Sequence, residues 1–102
     1  MQLIDIILED ENGQLLEKCK INFNDVYSEY QNLKNVNLFF LSTVDPVGNT
    51  MFNRLQVPKV IAEMQELRAM VNKKISNDID EVVLFLKKIE NEVHTYIKFV
   101  GD

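Results

Sequence analysis

The chain has 102 residues, an apolar fraction of 46% and a formal net charge of −5 at pH 7. A chain of this size can build one hydrophobic core but not two, so we expect a single domain over residues 1–102. The acidic balance disfavours nucleic-acid binding, which needs a basic surface, and attachment to anionic membranes. Because there is neither a signal-like N-terminus nor an apolar run of about 20 residues, we predict a cytoplasmic protein.

The first recognisable pattern is a β-hairpin. Gln2 to Leu8 is apolar and partly β-branched, and Asn12-Gly13 supplies the backbone conformation of a tight turn. The residues that follow alternate as in a half-buried strand, so we predict an antiparallel hairpin over residues 2–22. One face of its second strand would carry Leu15, Glu17, Cys19, Ile21 and Phe23. Cys19 on this face is interpreted as a small buried residue.

The middle of the chain has weaker patterns. Asn24 or Asp25 can cap a short helix that ends near Leu33. The apolar stretch 36–44 is compatible with a buried strand or with a loop that tucks its aromatic residues into the core. Because it contains Pro and Gly, the segment 45–50 is the clearest loop, and a short extended stretch over residues 51–56 follows it.

Two amphipathic helices and a strand complete the pattern. The first helix opens at Val57-Pro58, and its apolar stripe is Val57, Val60, Ile61, Met64, Leu67 and Val71. The second stripe is Ile79, Val82, Val83, Leu86, Ile89 and Val93. Between the stripes, Lys73-Lys74 suit a helix C-terminus and Asp78 suits the next N-terminus. Residues 95–100 alternate again and predict a strand.

These elements predict an α+β fold. The N-terminal hairpin and the C-terminal strand would share one small antiparallel or mixed sheet, with about three helices packed on it. The pattern of the chain does not determine the order of the strands.

The residues needed for common catalytic centres are missing. With three Gly in the chain there is no glycine-rich phosphate loop, and with one Cys and one His neither a thiolate cluster nor a two-His metal site can form. We therefore predict no catalytic residues, no metal and no cofactor, and we do not expect an enzyme.

Five polar residues are candidates for binding: Asp45, Asn53, Arg54, Gln56 and His94. The amides and the guanidinium just before a helix could hold an anion or a peptide carbonyl, and His94 could be a pH-sensitive contact. The alternative interpretation is structural. In that interpretation Arg54 bridges to Asp45, Asn53 or Gln56 satisfies loop backbone, and His94 is a boundary residue.

Two segments resemble those of short uncharacterised bacterial proteins, some of which look like immunity proteins of polymorphic toxin systems. The segments are Asp45-Pro46-x-Gly48-x-Thr50-x-Phe52-Asn53-Arg54-x-Gln56 and His94-x-Tyr96-x-Lys98-Phe99-x-Gly101-Asp102. The resemblance implies a single-domain, antitoxin-like binder with no activity of its own.

Three functional hypotheses follow. The first is a non-catalytic protein-binding module, specifically a cytoplasmic immunity protein that neutralises a basic toxin or effector domain through an acidic surface patch with one or two exposed aromatic residues. The second is a small-ligand-binding or enzymatic domain with Asp45, Asn53, Arg54 and His94 around one pocket. The third is a homo-oligomeric assembly subunit, such as a homodimer, in which edge strands of the hairpin pair between chains.

Overall fold

A single antiparallel sheet organises the fold. The computed structural model describes residues 3–101. Its strands are β1 (Asp5–Asp10), β2 (Leu15–Lys18), β3 (Asn49–Phe52) and β4 (Thr95–Val100). They lie in the order β2-β1-β4-β3, and every neighbouring pair is antiparallel. The prediction of an α+β fold, with the hairpin and the C-terminal strand in one sheet, is confirmed. Gln2, where the predicted hairpin begins, lies outside the described residues.

The helices are α1 (Asn24–Asn32), α2 (Phe39–Ser42), α3 (Val57–Arg68) and α4 (Lys73–Leu86), and a 3-10 helix over Lys87–Asn91 continues α4. Three of them were predicted, and α2 was not. The strand alternative for residues 36–44 is wrong, because the backbone N–H groups of Phe40 and Leu41 donate to the Glu63 carboxylate at 3.0 and 2.9 Å and so stabilise the start of α2.

A β-bulge changes which side chains of β2 share a face. Leu8 pairs with Glu17 but Glu9 pairs with Leu15, so Leu16 is an extra residue in the second strand. The prediction that Leu15 and Glu17 share one face is therefore wrong. Alternation would place both side chains on one face of an unbroken strand, but the bulge shifts Leu15 to the other face.

The link between α3 and α4 also differs from the prediction. Lys73 and Lys74 open α4 instead of closing α3, and the side-chain oxygen of Asn72 caps the first turn. Lysines are unfavourable at this end of a helix dipole. Lys74 offsets that cost through contacts with Asp25 at 2.9 Å and Asp78 at 3.3 Å. Asp78 thus lies inside α4 and does not begin it.

The helices cover one face of the sheet. At the centre of this face the Phe99 ring meets those of Phe23 and Phe52, with centroids 5.0 and 5.7 Å apart. Cys19 is also buried there, as predicted. The largest fully buried side chains are Phe23, Phe99, Ile4, Ile6, Leu41, Met64, Leu67, Ile79, Leu86, Ile89, Ile97 and Val26. This core leaves the ends and the two edges of the sheet as accessible surface.

Candidate functional site

The predicted site residues lie at opposite ends of β4. Asp45 lies beside the end of β4, because the backbone of Gly101 packs against the carbonyl oxygen of Asp45. His94 immediately precedes the start of the strand. The six residues of β4 separate these positions by about 20 Å, at about 3.4 Å per residue. The four residues of the pocket hypothesis therefore do not converge.

Three of them do converge. Asn53, Arg54 and His94 line one depression of about 240 Å³, where β3 leads into α3 and β4 begins. The complete lining is Asn53, Arg54, Leu55, His94, Thr95 and Tyr96. The turn after β3 and the turn before β4 come together because Phe52 pairs with Ile97.

The two amides, Asn53 and Gln56, organise the turn that forms one wall of this depression. The Asn53 side-chain oxygen accepts hydrogen bonds from the backbone N–H groups of Leu55 and Gln56, both at 2.9 Å. The Gln56 side-chain oxygen accepts from the Asn53 N–H at 2.9 Å. This reciprocal pattern satisfies the backbone at the start of α3, so the structural interpretation of Asn53 and Gln56 is confirmed.

Arg54 ties the same turn to the 3-10 helix. Its Nη2 donates to the backbone oxygen of Glu90 at 2.8 Å. The Asp45 carboxylate instead accepts from the Val47 N–H at 3.0 Å within its own loop. The predicted Arg54–Asp45 bridge is therefore wrong, because the two side chains lie at opposite ends of β3.

His94 faces the hairpin turn. Its backbone is left-handed, with φ of 58°, a conformation that His adopts more readily than most residues do. Its exposed imidazole Nδ1 lies 3.5 Å from a carboxylate oxygen of Glu11. This contact is an ion pair only when the imidazole is protonated.

Carboxylates surround this end of the sheet. Asp10 pairs with Thr95, which brings the hairpin turn next to the start of β4. As a result Asp10 and the exposed Glu11 lie beside the junction that carries the exposed Glu90 and Glu92. The sequence does not predict these four residues as a group, because its local patterns do not determine which strand pairs with β1.

Exposed apolar side chains accompany the carboxylates. Leu55 is 83% exposed and Val93 is 66% exposed. We call this surface the acidic end, and it consists of Asp10, Glu11, Asn53, Arg54, Leu55, Glu90, Glu92, Val93 and His94. It combines negative charge, exposed apolar side chains and a shallow depression.

A second depression of about 240 Å³ lies at the β2 edge of the sheet, beside Cys19, Leu84 and Phe85. Burial raises the pKa of the Cys19 thiol, so the thiol stays protonated near neutral pH and is a poor nucleophile. Lys88 and Lys20 flank this depression and are engaged with Glu17 and Glu81, respectively. The third lysine of the lining, Lys18, lies 3.5 Å from Asp5, so each of the three lysines has an acidic neighbour.

Within residues 3–101 no group of three His, Cys, Asp or Glu side chains is arranged to hold a metal ion. In the same range no helix has the length and apolar character needed to cross a bilayer. Comparison with protein families, with curated proteins and with solved structures finds no match to this chain.

Proposed function

We propose that this chain is a non-catalytic protein-binding module and that the acidic end is its contact surface. The observation that carries the proposal is the exposure of Leu55 and Val93 among the carboxylates Glu11, Glu90 and Glu92. The centre of a protein interface is apolar and loses its water on binding, while charged residues at the rim select the partner.

The partner that suits this surface is basic. The chain carries a net charge of −5, and the acidic end has four carboxylates against Arg54 and a protonatable His94. A lysine or arginine side chain of a partner would pair with Glu11 or Glu92 outside the depression, because the lining of the depression contains Arg54 and no carboxylate. Opposite charges also accelerate the encounter of the two proteins.

The finer proposal is a cytoplasmic immunity protein that neutralises a basic toxin domain. The resemblance of the two segments at residues 45–56 and 94–102 supports it, because each segment contributes to the acidic end. Neutralisation would be steric and electrostatic, since the module covers the basic surface with which such a toxin engages its target. Asp45 lies at the far end of β4 from Asn53, Arg54 and His94, so these four residues do not form one pocket.

The test begins with affinity capture of the tagged chain from its native host, with mass spectrometry of what co-purifies. We expect a stoichiometric basic protein. The double variant Glu11→Lys/Glu92→Lys should weaken its binding at least about tenfold, the equivalent of about 1.4 kcal/mol. The matched control is Glu29→Lys/Glu66→Lys on α1 and α3, which changes the net charge equally, from −5 to −1.

Full binding by the Glu11→Lys/Glu92→Lys variant would contradict the proposal. Equal loss in both double variants would also contradict it, because net charge rather than the acidic end would then determine binding. Circular dichroism of the variants establishes that the fold is retained.

A further inference from the structure

One motif of the sequence, Asn12-Gly13, has no part in the proposed contact surface. Asn12 is the only asparagine in the chain that glycine follows. It lies in the turn between β1 and β2, directly after Glu11 of the acidic end. An asparagine side chain can react with the backbone nitrogen of the next residue, and glycine, which has no side chain, leaves that nitrogen least shielded. The motif is therefore a candidate for chemical modification.

The fold leaves both residues of this motif open. Both are exposed, and no group of residues 3–101 hydrogen-bonds to the side-chain amide of Asn12. Other asparagines differ, since the side-chain oxygens of Asn53 and Asn72 accept from backbone N–H groups. A Cβ built at Gly13 meets no atom within 4 Å, so the space around this residue is empty. The Asn12 amide is consequently free to rotate toward the Gly13 nitrogen.

We propose that Asn12 deamidates spontaneously through a cyclic imide formed with Gly13. The Gly13 nitrogen attacks the side-chain carbonyl carbon Cγ of Asn12, a C–N bond forms, and the bond from Cγ to Nδ2 breaks. Nδ2 leaves as ammonia and takes the Gly13 amide proton with it. Water then opens the imide at either carbonyl, which yields aspartate or, with the backbone rerouted through the side chain, isoaspartate. The reaction consumes water, releases ammonia and involves no oxidation or reduction.

The hydrogen bonds of the turn slow this ring closure. The Gly13 N–H donates to the Asp10 carbonyl oxygen at 3.0 Å, and this bond must break because its nitrogen is the nucleophile. The Gln14 N–H, which donates to the Asp10 carboxylate at 2.9 Å, moves with it. Opening one such bond slows a reaction by about two- to tenfold. Asn12 of the folded chain should thus deamidate at most about a hundredfold more slowly than in a flexible peptide of the same sequence.

Deamidation would add charge to the acidic end. Conversion of the Asn12 amide to a carboxylate changes the net charge of the chain from −5 to −6. The new carboxylate is adjacent in sequence to Glu11, whose own carboxylate lies 3.5 Å from His94 Nδ1. The functional consequence rests on the proposed function, because a further carboxylate there favours a basic partner. The isoaspartate product also lengthens the backbone of the turn that carries Glu11.

Mass spectrometry after timed incubation at mildly alkaline pH tests this proposal. Cleavage after Lys18 yields residues 1–18, in which Asn12 is the only asparagine, so a conversion there is assigned directly. We expect this fragment to gain the mass of amide-to-acid conversion before any other asparagine-containing fragment does. Its rate should lie within about a hundredfold of that of a free peptide of residues 9–16. Anion-exchange chromatography of the intact chain should show a later-eluting species.

The matched control is Asn12→Gln, which keeps an amide but would have to close a larger ring that forms much more slowly. It should stay unmodified, as should the exposed Asn91, which Glu92 follows. Conversion of Asn12 below the limit of about a hundredfold overturns the proposal, as does earlier conversion of Asn91. Equal conversion of the Asn12→Gln variant also overturns it, because the reaction would then lie at Gln14. None of these measurements involves a partner, so their failure is distinct from failure of the proposed contact surface.

Discussion

The two edges of the sheet differ in charge although both expose apolar side chains. The β2 edge exposes Leu15 and Leu16, but it also carries Glu17 and Lys18. The β3 edge exposes Met51 and has no charged side chain. A charged edge strand resists pairing with other strands, whereas a neutral one permits it. The two edges therefore differ in the charge of their strands and not in whether they expose apolar side chains.

The ion pairs of the β2 edge also connect it to the helical layer. Lys88 contacts Glu17 at 2.8 Å, and its ammonium lies 5.6 Å from the Phe85 ring centroid. Lys20 meets Glu81 of α4 at 3.2 Å. The β3 edge is held instead by an aromatic contact from inside the core. The two edges should consequently respond differently to substitution.

The largest difference should come from the anchoring side chains. Phe52→Ala removes a buried ring that contacts Phe40 and Phe99 and should destabilise the fold by about 3–5 kcal/mol. Leu16→Ala at the exposed β2 edge should cost less than about 0.5 kcal/mol. Chemical denaturation of both variants measures the difference. Similar losses would show that β2, like β3, is held by core packing.

A smaller effect is expected from glycines near the two edges. A Cβ added at Gly101 would lie 2.6 Å from backbone atoms of Asp45 and Pro46, so Gly101→Ala should cost about 1–3 kcal/mol through forced backbone movement. Gly13→Ala in the β1–β2 turn meets no atom within 4 Å. With φ of 80°, it should cost about 1 kcal/mol from strain alone. Thermal unfolding ranks the two variants, and the reverse order would contradict this account of the loop beside β3.

The smallest effect should come from the exposed ion pair of the β2 edge. A double-mutant cycle with Glu17→Gln and Lys88→Met should give a coupling of about 0.2–1 kcal/mol, because water screens both side chains. The coupling should fall further in high salt. A salt-independent coupling would indicate that packing of the Lys88 stem, and not charge, connects β2 to the helices.

The fold class was predictable because its main elements have strong periodicity. The stripes of α3 and α4 and the alternation of β4 specify those elements locally. β3 was predicted only in part, because the expected extended stretch over residues 51–56 shares just Met51 and Phe52 with the strand Asn49–Phe52. These four residues carry no alternation and become a strand only beside β4. The bulge at Leu16 depends on a neighbouring strand, and the cap at Asn72 depends on a single hydrogen bond.

The candidate site was predictable only in part. The polar residues Asn53, Arg54 and His94 stand out in the sequence, and the structure brings them together. Asp45 belongs to the same sequence segment as Asn53 but lies at the other end of β3, because an extended strand separates its ends. The carboxylates of the hairpin turn lie at the acidic end because β1 pairs with β4. No local sequence pattern predicts that pairing.

The central position of β4 has a consequence for how the chain folds during synthesis. β1 acquires its second neighbour only after residue 95 has been made, since Asp10 pairs with Thr95. Until then the edge of β1 that receives β4, formed by the backbone groups of Asp5, Ile7 and Glu9, has no partner strand. Contacts between residues so distant in sequence slow folding and prolong the exposure of such edges. We therefore expect the nascent chain to depend on chaperones that bind apolar segments until β4 inserts between β1 and β3.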